Sequence, residues 1–312
     1  MRFVTPNVGA VKETVRSGGR AGTGIEMKRI QKLRMLEKII RSLGPMAVAF
    51  SGGVDSAFLA AVAGRIWGGR TLLITVVSPI HPRSEIRSAR VVARELGLPL
   101  VVMRLDALRI PRFALNPPNR CYLCKKAVFS KIIALARRRG FETVADGTNA
   151  DDASDYRPGK KAADELGIAS PLQQAGLGKE DIRALSRAMK LPTADKPSMA
   201  CLASRFPYGS MITRKALRAL DHAEEALRRL GFSQVRVRCH GEVARVEIPQ
   251  QEMDRMVSPD IRRRAAAALR KAGFSYASLD LDGYRTGSMN ALIRRSRLVR
   301  RSCVAAGRQR KG

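Results

Sequence analysis

Two sets of residues in this chain have the types and spacing to do chemistry. The first is Ser51-Gly52-Gly53-Val54-Asp55-Ser56, directly after the apolar run Met46-Ala47-Val48-Ala49-Phe50. Glycines let backbone N–H groups come close to a ligand, and a helix opening near Asp55 points its positive end at the same spot. That is an anion cradle. It is not the loop that ends in Gly-Lys-Ser/Thr, because no lysine follows the glycines. An ordinary strand-to-helix turn is the plainer alternative. The second set is Cys121, Cys124 and Cys201. Cys121 and Cys124 stand at i and i+3, on one helix face. Three thiolates are one short of a structural zinc set, and His81, His222 and His240 have no ligand-like spacing. Three can hold a [4Fe–4S] cluster and leave one iron open to an external sulfide. Two partly buried helix thiols are the other reading of Cys-x-x-Cys.

Three further stretches hold reactive or charged groups. Asp146-Gly147-Thr148-Asn149-Ala150-Asp151-Asp152 follows the short apolar strand Thr143-Val144-Ala145. Carboxylates there suit Mg²⁺ and ribose contacts, while an Asx turn explains any single Asp equally well. The loop from Leu191 to Arg205 has too many turn formers for a regular element, and it carries Lys196, Cys201 and Arg205. Arg236 and Arg238 share one face of an alternating strand, either as a solvated face or as a guanidinium pair for phosphate or carboxylate.

These residues need elements to position them. Residues 71–77 and 100–105 are apolar strands, with a helix over 87–96 between them. Helices also cover 55–67, 121–139 and 179–189. Apolar strands alternating with helices predict a doubly wound α/β sheet, whose ligands sit outside the carboxyl ends of the strands. Beyond Phe206 the pattern changes to a helix over 213–230, a hairpin over 234–248, a helix over 261–272 and a strand over 276–281. That predicts a smaller α+β domain. The expected division is a basic disordered tail 1–26, an α/β domain 27–205, the α+β domain 206–290 and a basic tail 291–312. Met27 opens a basic amphipathic helix and is a second candidate for the start.

Composition narrows the classes. The chain has 312 residues, with 58 Lys and Arg against 27 Asp and Glu, a net charge of +31. Such a charge attracts polyanions, and an arginine-rich composition alone gives the same count. No apolar run is long enough to span a membrane and no leader precedes the helix, so the expected location is the cytoplasm. The five cysteines are then thiols or ligands, not disulfides.

The stretch over residues 51–56 resembles the PP-loop of ATP pyrophosphatases. The motifs Arg120-Cys121-Tyr122-Leu123-Cys124-Lys125-Lys126, Asp146-Gly147-Thr148-Asn149, Asp155-Tyr156-Arg157-Pro158-Gly159, the Lys196 to Arg205 loop and Gly283-Tyr284-Arg285-Thr286-Gly287-Ser288-Met289-Asn290 follow in order. Together they resemble the LarE family, ATP-dependent sulfur transferases that mature the nickel-pincer nucleotide of lactate racemase. The resemblance runs over about residues 27–290. It implies that ATP adenylates a carboxylate of pyridinium-3,5-biscarboxylic acid mononucleotide and that sulfur displaces AMP. One branch of the family gives up the sulfur of a single cysteine, and a three-cysteine branch binds a [4Fe–4S] cluster.

By this resemblance Ser51, Gly52, Gly53 and Ser56 hold the pyrophosphate with Mg²⁺, Asp55 orients the loop, and Ser78 and Gly147 border the nucleotide. Lys196 and Arg205 take pyrophosphate or the substrate's anionic groups, and Arg236 and Arg238 take the mononucleotide phosphate. Cys121, Cys124 and Cys201 ligate the iron–sulfur cluster, and Asp152 or Glu224 binds metal. Sulfide or a sulfur donor, and a homo-oligomer (a hexamer in the family), complete the expected partners. A PP-loop tRNA thiolation enzyme, and sacrifice of Cys201 itself, are the alternatives. No RNA-binding module is recognisable, and an amidating pyrophosphatase would need no Cys-x-x-Cys.

Overall fold

A computed structural model describes residues 24–153, 158–197 and 200–285. Most of the two expected tails therefore lies outside the described residues. So do motif residues 155–157, 198–199 and 286–290. The chain forms two compact units that meet between Cys201 and Leu202, a little ahead of the boundary expected after Arg205.

The first unit opens with α1 (Gly24–Leu43), whose Leu33, Leu36 and Ile40 are buried. Next come β1 (Met46–Ala49), α2 (Val54–Trp67), β2 (Thr71–Val77), α3 (Arg83–Glu95) and β3 (Leu100–Arg104). Then follow α4 (Arg120–Arg137), β4 (Thr143–Ala145), α5 (Pro158–Glu165), the single turn α6 (Pro171–Gln174) and α7 (Lys179–Ala188). The four strands are parallel in the order β3-β2-β1-β4. Parallel strands are covered on both faces, which is why β1 and β2 read as unbroken apolar runs. Two layers of buried side chains flank the sheet. One is built on α2, where residues 57–63 are all buried, and the other on Phe129, Ile132 and Ala136 of α4. The stretch before Ser170 makes only one bridge, Ala145 with Ala169, because Pro171 starts a helix there.

The order reverses at β1: β2 and β3 lie on one side and β4 on the other. A crevice opens at such a switch point beyond the strand ends. The loop after β1 and the loop after β4 are its two walls.

In the second unit a 3₁₀ turn (Leu202–Arg205) precedes α8 (Arg214–Arg229). Thr213 caps α8 by accepting from the Ala216 N–H at 3.1 Å. The strands β5 (Arg236–His240) and β6 (Val243–Glu247) form the expected hairpin. Beyond α9 (Met253–Val257) and α10 (Pro259–Ala272), β7 (Tyr276–Leu279) joins β6 in parallel. Among the described residues no helix is long and apolar enough to cross a membrane.

Gly52 is the tightest point of the first unit. Its φ is +70°, and a Cβ built there would lie 2.6 Å from the Ala89 Cα of α3. Gly52→Ala therefore adds left-handed strain to a backbone clash, and should cost about 3 kcal/mol of stability. Urea unfolding of the variant against the parent measures that loss.

Candidate functional site

The loop after β1 is tied into the sheet before it is tied to itself. Phe50 donates to the Ile74 carbonyl at 2.9 Å and accepts from the Thr75 hydroxyl at 2.7 Å. Beyond it, the Ser51 and Ser56 hydroxyls lie 3.0 Å apart. Ser56 Oγ also accepts from the Ser51 N–H at 3.3 Å, and Ser51 Oγ accepts from the Gly53 N–H at 3.3 Å. The two serines thus staple the strand end to the first turn of α2. The backbone amides of that turn stand at the helix's positive end, which suits a bound polyphosphate.

Lys196 holds the loop from outside. Its ammonium donates to the Gly52 carbonyl at 3.0 Å and to Ser88 Oγ at 2.9 Å, and lies 3.1 Å from Glu85. Arg183 of α7 fixes the segment that carries it, donating to the Ala194 and Lys196 carbonyls at 2.6 and 2.8 Å. The expected pyrophosphate cation is therefore beside the loop, with its three protons on Gly52, Ser88 and Glu85.

The loop after β4 forms the other wall. A Cβ on Gly147 would lie 2.9 Å from the Ser56 nitrogen, so a bare backbone is what lets this loop touch α2. Asp146 is buried and accepts from the Thr148 and Ser170 hydroxyls at 2.7 and 2.9 Å. Asn149 is buried too, and its side-chain oxygen accepts from the Asp151 and Asp152 N–H groups. Asp152 in turn accepts from the Asn149 N–H at 3.2 Å, the Asx-type turn that the sequence left open. Asp55 lies between the walls, with Asn149 on one oxygen and Lys179 on the other.

Ser78 ends β2 in a buried position, where its hydroxyl accepts from the Ala107 N–H at 3.2 Å. Nearby His81 has Nδ1 2.9 Å from the Val76 carbonyl, and burial lowers its pKa, so a neutral imidazole donates there.

Cys121 and Cys124 occupy the first turn of α4, and Cys201 ends the first unit. Cys121 is exposed, while Cys124 and Cys201 are half-buried. The Cys124 thiol is pushed up to about 12 by burial, then by the negative charge that Cys201 and Cys121 would carry, with Lys125 opposing. Cys124 therefore lies within electrostatic reach of both Cys121 and Cys201. Lys125 itself reaches toward Asp146 at 3.8 Å, and a Cβ on Gly159 would strike its chain at 2.8 Å. Among the described residues no three His, Cys, Asp or Glu side chains stand close enough to chelate one metal ion.

The second unit gathers the remaining candidates. Arg205, Arg236 and Arg238 are buried with Glu224 and Glu247, so three guanidiniums share two buried carboxylates. Burial rules out the solvated face that was one reading of Arg236 and Arg238. Arg205 is bidentate to Glu224 at 2.8 and 2.9 Å, and Arg238 donates to Glu247 at 2.6 Å. Glu224 also accepts from Arg228 and from the Val237 N–H, at 2.9 and 3.1 Å. Burial would raise its pKa, but Arg205, Arg236 and Arg228 outweigh that and hold it below the usual range. The carboxylate expected as a metal ligand is thus the counter-ion of an arginine cluster, with both oxygens occupied. Burial lowers the pKa of Arg236, and Arg205 adds to that while Glu224 opposes it.

Sequence reasoning missed Lys179 and Glu85. Lys179 reads only as the start of a helix and Glu85 as part of a loop, and their partners are far away in the chain. The small residues Gly147 and Gly178 were the available signal, since each marks a close approach.

A family model described as asparagine synthase matches residues 34–113, the stretch that holds β1, the PP-loop and β2. An uncharacterized protein of Synechocystis, slr1717, is 38% identical over 262 residues, 84% of this chain and 98% of its own. Pyridinium-3,5-bisthiocarboxylic acid mononucleotide synthase of Lactiplantibacillus plantarum is 36% identical over 270 residues, 86% of this chain and 97% of its own. The tRNA-specific 2-thiouridylase MnmA of Syntrophotalea carbinolica is 34% identical over 116 residues, about a third of either chain. An ATP-binding loop at the switch point of a parallel sheet, with near full-length similarity to the Lactiplantibacillus synthase, fixes the family: the chain belongs to the LarE family of PP-loop, ATP-dependent sulfur transferases.

Proposed function

We propose that this enzyme converts a carboxylate of pyridinium-3,5-biscarboxylic acid mononucleotide into a thiocarboxylate, using sulfur delivered at Cys121, Cys124 and Cys201. The observation that supports the reading is that Cys124 lies within electrostatic reach of Cys121 and Cys201, in the unit that also holds the PP-loop. A carboxylate is a poor acyl donor because its leaving group is oxide. In the first step its oxygen bonds to the α-phosphorus of ATP, and pyrophosphate leaves. In the second, sulfide bonds to the carbonyl carbon and the C–O bond to AMP breaks. The N–H groups over residues 51–56 receive the β,γ-phosphates, where developing charge is greatest. Mg²⁺, which Asp152 would help to hold, would supply further neutralisation. Lys196 keeps the Gly52 carbonyl turned away from that anion. Arg236 and Arg238 offer the mononucleotide phosphate a cluster with one buried guanidinium more than its buried carboxylates. Arg205 adds to that field while Glu224 holds it in place.

The thiol trio suits a [4Fe–4S] cluster. Cluster ligands bind different irons, so they stand farther apart than the ligands of one ion. Cys124 resists ionisation first because it is buried and then because two other thiolates would lie beside it, and a positively charged iron core would offset both. Cys121, Cys124 and Cys201 would be the residues that hold such a cluster, and the chemistry it would supply is sulfide for the adenylated carboxyl. Sacrifice of Cys201 is the competing source of sulfur.

Two outcomes are expected. In iron-free protein at pH 8, iodoacetamide should label Cys124 at least a hundredfold more slowly than an ordinary exposed cysteine. Its thiolate fraction there is only about one in ten thousand. Raising the pH toward 11 should narrow that gap to about tenfold, as peptide mass spectrometry will read. Anaerobically purified Cys121→Ala should carry no iron and transfer no sulfur, yet still form AMP with ATP and substrate. Multi-turnover sulfur transfer by that variant without iron would exclude the cluster. A Cys201 lighter by one hydrogen sulfide after turnover would establish sacrifice.

A further inference from the structure

Asp55 stands in the first turn of α2, among the N–H groups that an anion site must keep available. A carboxylate at that position complements the helix dipole. A first-turn carboxylate left unheld can turn back, accept those N–H bonds itself and repel a polyphosphate. The fold prevents this by using both of its oxygens. Oδ2 accepts from Lys179 Nζ at 2.5 Å, and Oδ1 lies 3.5 Å from Asn149 Nδ2.

Both holders are themselves fixed. Lys179 begins α7, and its backbone N–H donates to Asp151 Oδ2 at 2.7 Å. Gly178 makes room for that bond, since a Cβ there would lie 2.9 Å from Asp151 Oδ1. Asn149 is buried, with its oxygen held by two backbone N–H groups. The backbone of Lys179 is therefore anchored where its ammonium reaches Asp55.

We propose that Lys179 is a positioning residue of the ATP site. It holds the Asp55 carboxylate outside the nest of N–H groups over residues 51–56 and cancels its charge, so the nest stays open for the β,γ-phosphates. The proposal rests on reading those residues as the ATP site.

ATP affinity by calorimetry tests it in the full chain. Lys179→Met keeps the length of the side chain and loses the ammonium, and should weaken ATP binding at least tenfold. Lys179→Arg should stay within about threefold of the parent. The second change Asp55→Asn, made in Lys179→Met, removes the charge that would close the nest and should restore most of the lost affinity. Lys179 is a third exposed, with a side-chain accessibility of 34%, so these variants should melt near the parent's temperature. ATP affinity equal to the parent's in Lys179→Met would overturn the proposal. So would a double variant no tighter than Lys179→Met alone, because a merely structural loss is not repaired by a second substitution. Failure of the parent chain to bind ATP would instead remove the ATP-site reading on which the proposal stands.

Discussion

How near Gly52 comes to Ala89 decides the rest of the first unit. No side chain fits between them, so α3 lies directly on the PP-loop. That contact brings Glu85 and Ser88 of α3 to Lys196, and Lys196 to the Gly52 carbonyl. The same absence of a side chain at Gly147 lets the loop after β4 touch the first turn of α2. Two close backbone approaches, one on each side of β1, thus hold the loop that must face an anion. Hydrogen bonds then set its shape, but only because the backbones have already met.

The second unit solves a different problem, that of charge out of water. A buried ion pair recovers its desolvation cost only with good geometry and all its hydrogen bonds made. Glu224 has four donors on two oxygens, which is the most a carboxylate can accept in comfort. Arg205 is entirely buried against it. The arrangement offers little stability of its own, and loss of Glu224 would leave several guanidiniums facing one another. Such a cluster earns its place when an anion completes it, which is how Arg236 and Arg238 enter the proposed chemistry.

Much of this was legible in the sequence because it is local. An apolar run followed by Ser-Gly-Gly-x-Asp-Ser places a strand, a turn and a helix within a dozen residues, and the structure has all three in register. The hairpin of β5 and β6 was equally plain from its alternation and its His240-Gly241 turn. Burial of Arg236 and Arg238 was not, since alternation tells which residues share a face and not what covers it. Glu224 looked like any acidic helix residue until Arg205 was seen against it. Lys179 was invisible for the same reason: Asp55 lies 124 positions away, and periodicity carries no information over that span.

That distance has a consequence for how the enzyme comes into being. The PP-loop is made early in the chain, but the groups that complete it arrive late: Asn149 after 94 positions, Lys179 after 124 and Lys196 after 144. Contacts so distant in sequence form slowly, because a long loop must close before they contribute. A nascent chain released with only its first hundred residues would have the glycine loop against α3 but lack Asn149, Lys179 and Lys196. Nucleotide capture is therefore a late event in the life of the chain, and ATP can stabilise only a first unit that is nearly whole.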